Sequence, residues 1–182
     1  VIERIVLVGF MCSGKSTVGR LLADRLGWDL IDFDETIERR EERRIADIFH
    51  ENGEGHFRRL EVELTRQVED RVRVVLVPGG GWVMQHGLVE RLRSSSLFVW
   101  LRVRPDTVYD RQSRLGFGDR PLLAGDDPRG AIKALLAARE PFYRKADVTI
   151  DTDDRPADAV ARQVAELVQA EGGVRGGNGA QC

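Results

Sequence analysis

The 182-residue chain predicts an α/β fold, a five-stranded parallel sheet covered by helices on both faces in three α/β/α layers. Three observations carry that expectation. Short apolar runs rich in β-branched residues alternate with longer stretches of helical periodicity. A glycine-rich loop stands directly between the first strand and the first helix. Two further segments, Asp32-Phe33-Asp34 and Gly79-Gly80-Gly81, follow predicted strands directly, and ligands of such sheets gather beyond the carboxyl ends of the strands.

The first strand is the Ile-Val-Leu-Val run at 5–8. It leads into Gly9-Phe10-Met11-Cys12-Ser13-Gly14-Lys15-Ser16-Thr17, which fits G-x-x-x-x-G-K-[ST], the phosphate-binding P-loop. Val18, Leu21, Leu22 and Leu26 then recur at helical spacing, giving a helix over 15–26. In that setting loop N–H groups and the positive end of the helix dipole face a polyphosphate. Lys15 reaches the β- and γ-phosphates and the Ser16 hydroxyl holds Mg²⁺. Only Lys15, Lys133 and Lys145 among the 28 basic residues are lysines, and one of them stands directly after the loop's second glycine. The arginine excess means that a single arginine carries weight only where its neighbours also match a pattern.

The second strand, 29–31, ends at Asp32-Phe33-Asp34. Two carboxylates one residue apart on a strand end project to the same side. One can hold Mg²⁺ through water while the other accepts a hydroxyl proton. Asp34 also precedes a helical run, where Asp is a good N-cap, so the residues alone leave cap and catalysis both open. Helical patterns follow at 35–52, with a break, and at 57–70. The strand at 74–77 precedes the triple glycine. Beyond it come a helix at 86–93, a strand at 97–101, a helix at 105–114, a helix at 129–143, a strand at 148–150 and a helix at 157–170. Pro156 is well placed to start that last helix, whose stripe is Val160, Val164, Leu167 and Val168. Leu115-Gly116-Phe117-Gly118-Asp119 reads as a mobile loop, and the Gly-rich tail 171–182 as flexible.

Hydrophobic content of 42% and charged content of 32% are those of one globular domain. A net charge of −2 gives no general attraction to nucleic acid or anionic lipid. No apolar run approaches the length of a membrane span, and the first strand begins almost at Val1, so no signal peptide is expected. Cys12 and Cys182 make neither a disulfide framework nor a metal cluster, which fits a reducing cytoplasm. No Asn-Lys-x-Asp or Thr-Lys-x-Asp guanine-reading motif is present.

From about residue 4 to 168 the chain resembles shikimate kinase. Five ordered matches carry the resemblance. They are the P-loop form with Gly19; Asp32-Phe33-Asp34; Ile45-Ala46-Asp47-Ile48-Phe49 with Gly53-Glu54 and Phe57-Arg58-Arg59-Leu60-Glu61; Gly79-Gly80-Gly81; and Arg120-Pro121-Leu122-Leu123-Ala124-Gly125 followed by Arg139-Glu140-Pro141-Phe142-Tyr143. The resemblance implies a single nucleoside-monophosphate-kinase-like P-loop domain over 1–170, with substrate-binding helices at about 33–61 and a lid at about 112–124. It implies phosphorylation of the 3-hydroxyl of shikimate by ATP, with Mg²⁺, in a cytoplasmic monomer. Asp34 would bind the acceptor hydroxyls and orient or deprotonate the attacking one. Arg58 and Arg139 would clamp the acceptor carboxylate, and Gly79, Gly80 and Gly81 would admit its ring. Cys12, Ser13, Gly14, Lys15, Ser16 and Thr17 would hold the ATP phosphates. Arg111 with Arg155-Pro156 would flank adenine. Lys15, Asp34 and Arg120 would be catalytic, Arg120 from the lid, and Ser16 and Asp32 would serve the metal.

The chain departs from the family at several positions. Cys12 replaces a usual Gly in the loop. Val77-Pro78 precedes the triple glycine, where an aliphatic and a hydroxyl residue are more usual. Trp82 stands where a small residue is common, and Glu42 and Arg44 stand where Gly and Ser are usual. Trp82 could narrow the acceptor pocket or pack outside it, which leaves a gluconate-type sugar-acid kinase as the alternative. A nucleotide-binding regulatory protein without phosphotransfer is a third reading; Lys15, Ser16, Asp34 and Arg120 argue against it.

Overall fold

The computed structural model describes residues 1–116, 123 and 126–173. Five strands, β1 (Arg4–Val8), β2 (Asp29–Asp32), β3 (Val74–Val77), β4 (Ser96–Arg102) and β5 (Val148–Asp151), form one parallel sheet in the order β2-β3-β1-β4-β5. The helices are α1 (Lys15–Leu26), α2 (Phe33–Glu41), α3 (Ile45–Val68), α4 (Leu88–Arg93), α5 (Pro105–Leu115), α6 (Pro128–Tyr143) and α7 (Ala157–Gly173), with a 3₁₀ turn at Trp82–Met84.

Alternate strand residues divide between two cores, as pleating requires. Ile5, Leu7, Val75, Val77, Val99 and Leu101 pack under α1 and α7. Val6, Val8, Leu76, Phe98 and Trp100 face the helices of the other side. Both faces being covered explains why the central strands β1, β3 and β4 read as apolar runs. Gly19 lets α1 lie close on the sheet, since a Cβ there would come within 2.7 Å of Val77 Cγ2.

The strands appear where the sequence places them, and the helix ends differ. α2 begins at Phe33, directly off β2, and its N-cap is Asp32, not Asp34: the Asp32 side chain accepts from the backbone N–H of Asp34 and Glu35. Asp34 therefore lies in the first turn of a helix rather than on a strand end. Glu42 closes α2 in the left-handed region (φ 53°), which explains the usual Gly there. Arg44 supplies no side-chain cap to α3; the Ile45 N–H is met instead by Glu38 Oε1 at 2.8 Å. The break between the two helical patterns is Gly53, with φ 77° and ψ 169° inside α3. α7 continues to Gly173. The expected flexible tail beyond it, residues 174–182, and most of the expected loop, including Arg120, lie outside the described residues.

Candidate active site

The three segments that follow β1, β2 and β3 meet at one edge of the sheet. They line a cavity of about 290 Å³ whose walls include Lys15, Ser16, Asp32, Asp34, Gly79 and Gly80. The P-loop leaves β1 through Gly9, where a Cβ would meet the Leu101 carbonyl oxygen at 2.6 Å. It enters α1 through Gly14, whose φ of 91° suits glycine. Lys15 Nζ donates to the carbonyls of Gly9 (2.9 Å) and Phe10 (3.0 Å), which folds its chain back over the loop. An anion there has N–H groups, a helix N-terminus and an ammonium within reach.

Ser16 Oγ donates to Asp32 Oδ2 at 2.6 Å, while Asp32 Oδ1 caps α2. One buried carboxylate thus ties α1 to α2 and sets a hydroxyl and a carboxylate oxygen side by side. Those are hard oxygen donors of the kind Mg²⁺ takes from protein when phosphates supply the rest, so the pair fits that ion. Among the described residues no group of three or more His, Cys, Asp or Glu side chains could hold a metal by itself.

The other side of the cavity is built on the triple glycine. A Cβ on Gly79 would lie 2.7 Å from Glu61 Oε1 and 3.4 Å from Asp34 Oδ1. One on Gly80 would lie 3.2 Å from an Arg139 guanidinium nitrogen, and one on Gly81 would overlap the Arg58 guanidinium. Each glycine therefore abuts a different one of the three side chains expected to meet the acceptor. Arg139 is 6% exposed and lies over the Phe10 ring, 5.4 Å from its centroid. Tyr143, one helical turn on, donates its hydroxyl to the Gly80 carbonyl at 2.5 Å. Burial pushes that phenol up to about 12 against the pull of Arg139, which keeps it a hydrogen-bond donor.

Arg58 donates to Glu54 Oε1 at 2.7 Å and to Glu61 Oε2 at 2.7 Å. Glu61 is fully buried, and Gln85 Nε2 also donates to its Oε2, at 2.6 Å. Burial pushes the Glu61 carboxyl up to about 7; Arg58 pulls it down, Asp34 pushes it further up, and Gln85 pulls it down. In the sequence Glu61 closes a matched motif without an assigned role, and Gln85 stands in none. The available signal was the i,i+3 spacing of Arg58 and Glu61 on one helix face.

A second cavity, of about 280 Å³, adjoins the first across Cys12, Gly14 and Thr17, and Ser13, Arg111 and Arg155 also line it. Arg111 braces this region rather than presenting a free fork. It donates to the carbonyls of Cys12 (2.9 Å), Thr152 (2.7 Å) and Asp153 (3.2 Å). Arg155 donates to Gln163 Oε1 at 2.8 Å. Its neighbour Ala157 lines the cavity, whereas Pro156 is not among the lining residues. Trp82 packs away from both cavities. It is fully buried, edge-on to Phe33, with its Nε1 donating to Thr65 Oγ1 at 2.9 Å.

Residues 11–169 match the model of the shikimate kinase family. A shikimate kinase of Moorella thermoacetica is 47% identical over 91% of this chain and 94% of its own length. One of Symbiobacterium thermophilum is 45% identical over 92% and 97%. The structure of the shikimate kinase from Acinetobacter baumannii in complex with shikimate superposes with a TM-score of 0.87 at 34% identity, covering 94% of this chain and 95% of that one. The chain belongs to the shikimate kinase family.

Proposed function

We propose that this member of the shikimate kinase family transfers the γ-phosphoryl group of ATP to the 3-hydroxyl of shikimate, giving shikimate 3-phosphate and ADP on the route to chorismate and the aromatic amino acids. The observation that carries the reading is the packing of Gly79, Gly80 and Gly81 against Asp34, Arg139 and Arg58 in turn, beside the P-loop. Two guanidinium forks fix a small ring by its carboxylate, and the carboxylate of Asp34 meets its hydroxyls. Asp34 then accepts the proton of the attacking hydroxyl. Phosphoryl transfer needs positioning and charge neutralisation more than covalent chemistry, and this arrangement supplies both.

On the nucleotide side, Cys12, Ser13, Gly14, Lys15, Ser16 and Thr17 cradle the phosphates. Arg111 and Arg155 border the base; Pro156, next in the chain, lies outside the lining of the second cavity. Ser16 and Asp32 would hold Mg²⁺, which when bound neutralises charge on the β- and γ-phosphates. Arg120 completes the site on the resemblance alone, since it lies outside the described residues. The protein acts as a cytoplasmic monomer on these two small molecules, within one domain over 1–170. The gluconate alternative rested on Trp82, and that side chain is spent in the core rather than in the acceptor pocket.

The test is the position of the transferred phosphate. Incubation with ATP, Mg²⁺ and shikimate, followed by ³¹P–¹H correlation NMR of the product, should couple phosphorus to the proton at carbon 3. Coupling at another ring carbon, or no phosphorylated ring at all, would overturn the reading.

A further inference from the structure

Among the described residues Glu61 is the one fully buried carboxylate at this site, and its two oxygens are treated unequally. Oε2 accepts from both Arg58 and Gln85, whereas Oε1 is buried beside Gly79 with no hydrogen-bond partner among the described residues. We infer that Glu61 is a positioning residue that takes up a proton when the anionic acceptor binds, so that the buried charges around Arg58 stay balanced. The inference rests on the proposed function, which brings a carboxylate to Arg58.

The charges facing Glu61 can be followed element by element. From α3 come Arg58 and Glu54, from α2 comes Asp34, and from the 3₁₀ turn and the residue after it comes the neutral Gln85. From α6, Arg139 and Tyr143 reach the same glycine segment. Two arginines thus already face three acidic side chains before any ligand arrives. Glu54 is half exposed and screened by water; Glu61 is not. An acceptor carboxylate adds a further negative charge and competes for the Arg58 fork. The buried carboxylate then becomes costlier to keep ionised, and the bare Oε1 is where the proton goes. The position of its titration in the free protein, near neutrality, makes the uptake measurable.

Binding favours the protonated form, so acceptor affinity is highest below the Glu61 midpoint of the free protein. It falls with rising pH by up to about tenfold per unit, and levels above the midpoint of the complex. ATP binding, which does not touch Arg58, carries no slope from Glu61.

The experiment is calorimetry of shikimate binding about one pH unit above the free midpoint, in phosphate and in Tris, whose ionisation heats differ. The wild type should show net proton uptake, seen as a buffer-dependent heat, and Glu61→Gln should show almost none. Binding heat without buffer dependence, or equal uptake in Glu61→Gln, would overturn this inference and leave the proposed function standing. No binding heat at all would overturn both. If Glu61→Gln fails to fold, the carboxyl ¹³C shift of Glu61 in the wild type decides: its midpoint should rise on adding shikimate, and an unmoved midpoint contradicts the inference.

Discussion

The indole of Trp82 donates to Thr65 Oγ1 at 2.9 Å, and Thr65 in turn donates to the Glu61 carbonyl at 2.7 Å, with Trp82 and Thr65 both fully buried. This chain of bonds pins the 3₁₀ turn after the triple glycine to α3, the helix that carries Arg58 and Glu61. Thr65→Val keeps the shape and removes the acceptor. It should destabilise the fold by about 1–3 kcal/mol through an orphaned indole N–H. Denaturant unfolding reads the loss, and an unchanged midpoint would mean that the turn does not depend on this bond.

Gly81 has an ordinary helical backbone (φ −94°), so Ala is conformationally allowed there. Its Cβ would nonetheless overlap the Arg58 guanidinium. Gly81→Ala should therefore leave folding and ATP binding near normal and raise KM for shikimate by roughly ten- to a hundredfold, since a displacement of about 1 Å in a binding group costs that much. Equal KM values for shikimate in the two proteins would count against Arg58 as an acceptor ligand.

Lys15 lies at the P-loop and Arg58 on α3 against Gly81, and their losses should separate. Lys15→Ala should lower kcat by roughly 10²–10³, the loss typical of one preorganised donor on developing charge. Arg58→Ala should weaken shikimate binding by about 2–5 kcal/mol and leave ATP affinity close to wild type. Titration of both ligands against both variants checks the division. It fails if Arg58→Ala proves the poorer nucleotide binder.

The buried Glu61 also makes stability depend on pH. Its folded-state midpoint is raised to about 7, above the ordinary glutamate range, so the protonated form favours folding. That contribution is complete below the unfolded-state value and is lost as pH rises to about 7. Glu61→Gln removes the titration. The stability of the variant relative to wild type should rise across that window and then level off. Parallel stability curves for the two proteins would show that Glu61 titrates normally.

The central strands β1, β3 and β4 were legible because each is buried on both faces and reads as an apolar run, whereas the edge strands β2 and β5 carry exposed residues and were placed by their position between helical patterns. The P-loop was legible because its spacing is fixed by phosphate geometry. Strand order was not, since β1 pairs with β3 and β4, whose positions are set by tertiary packing. The role of Asp32 as cap was missed because β2 turns into α2 with no intervening loop, so the strand's last residue is also the helix's N-cap. Glu61 sits in a charged stretch that reads as solvated helix surface; in the fold it is buried against Gly79 of the triple glycine, Arg58 and Gln85. Trp82 follows that glycine segment, and nothing in its position tells whether it turns toward the cavity or, as found, into the core.

If the acceptor site admits shikimate and couples it to ATP, nucleotide turnover should depend on shikimate. The most direct measurement is ADP release from ATP and Mg²⁺, followed by a coupled assay with and without shikimate, with gluconate and a nucleoside monophosphate as comparison acceptors. Rapid ADP release is expected with shikimate and only background release otherwise. Equal or faster turnover with gluconate or the nucleoside monophosphate, or release independent of any acceptor, would contradict it.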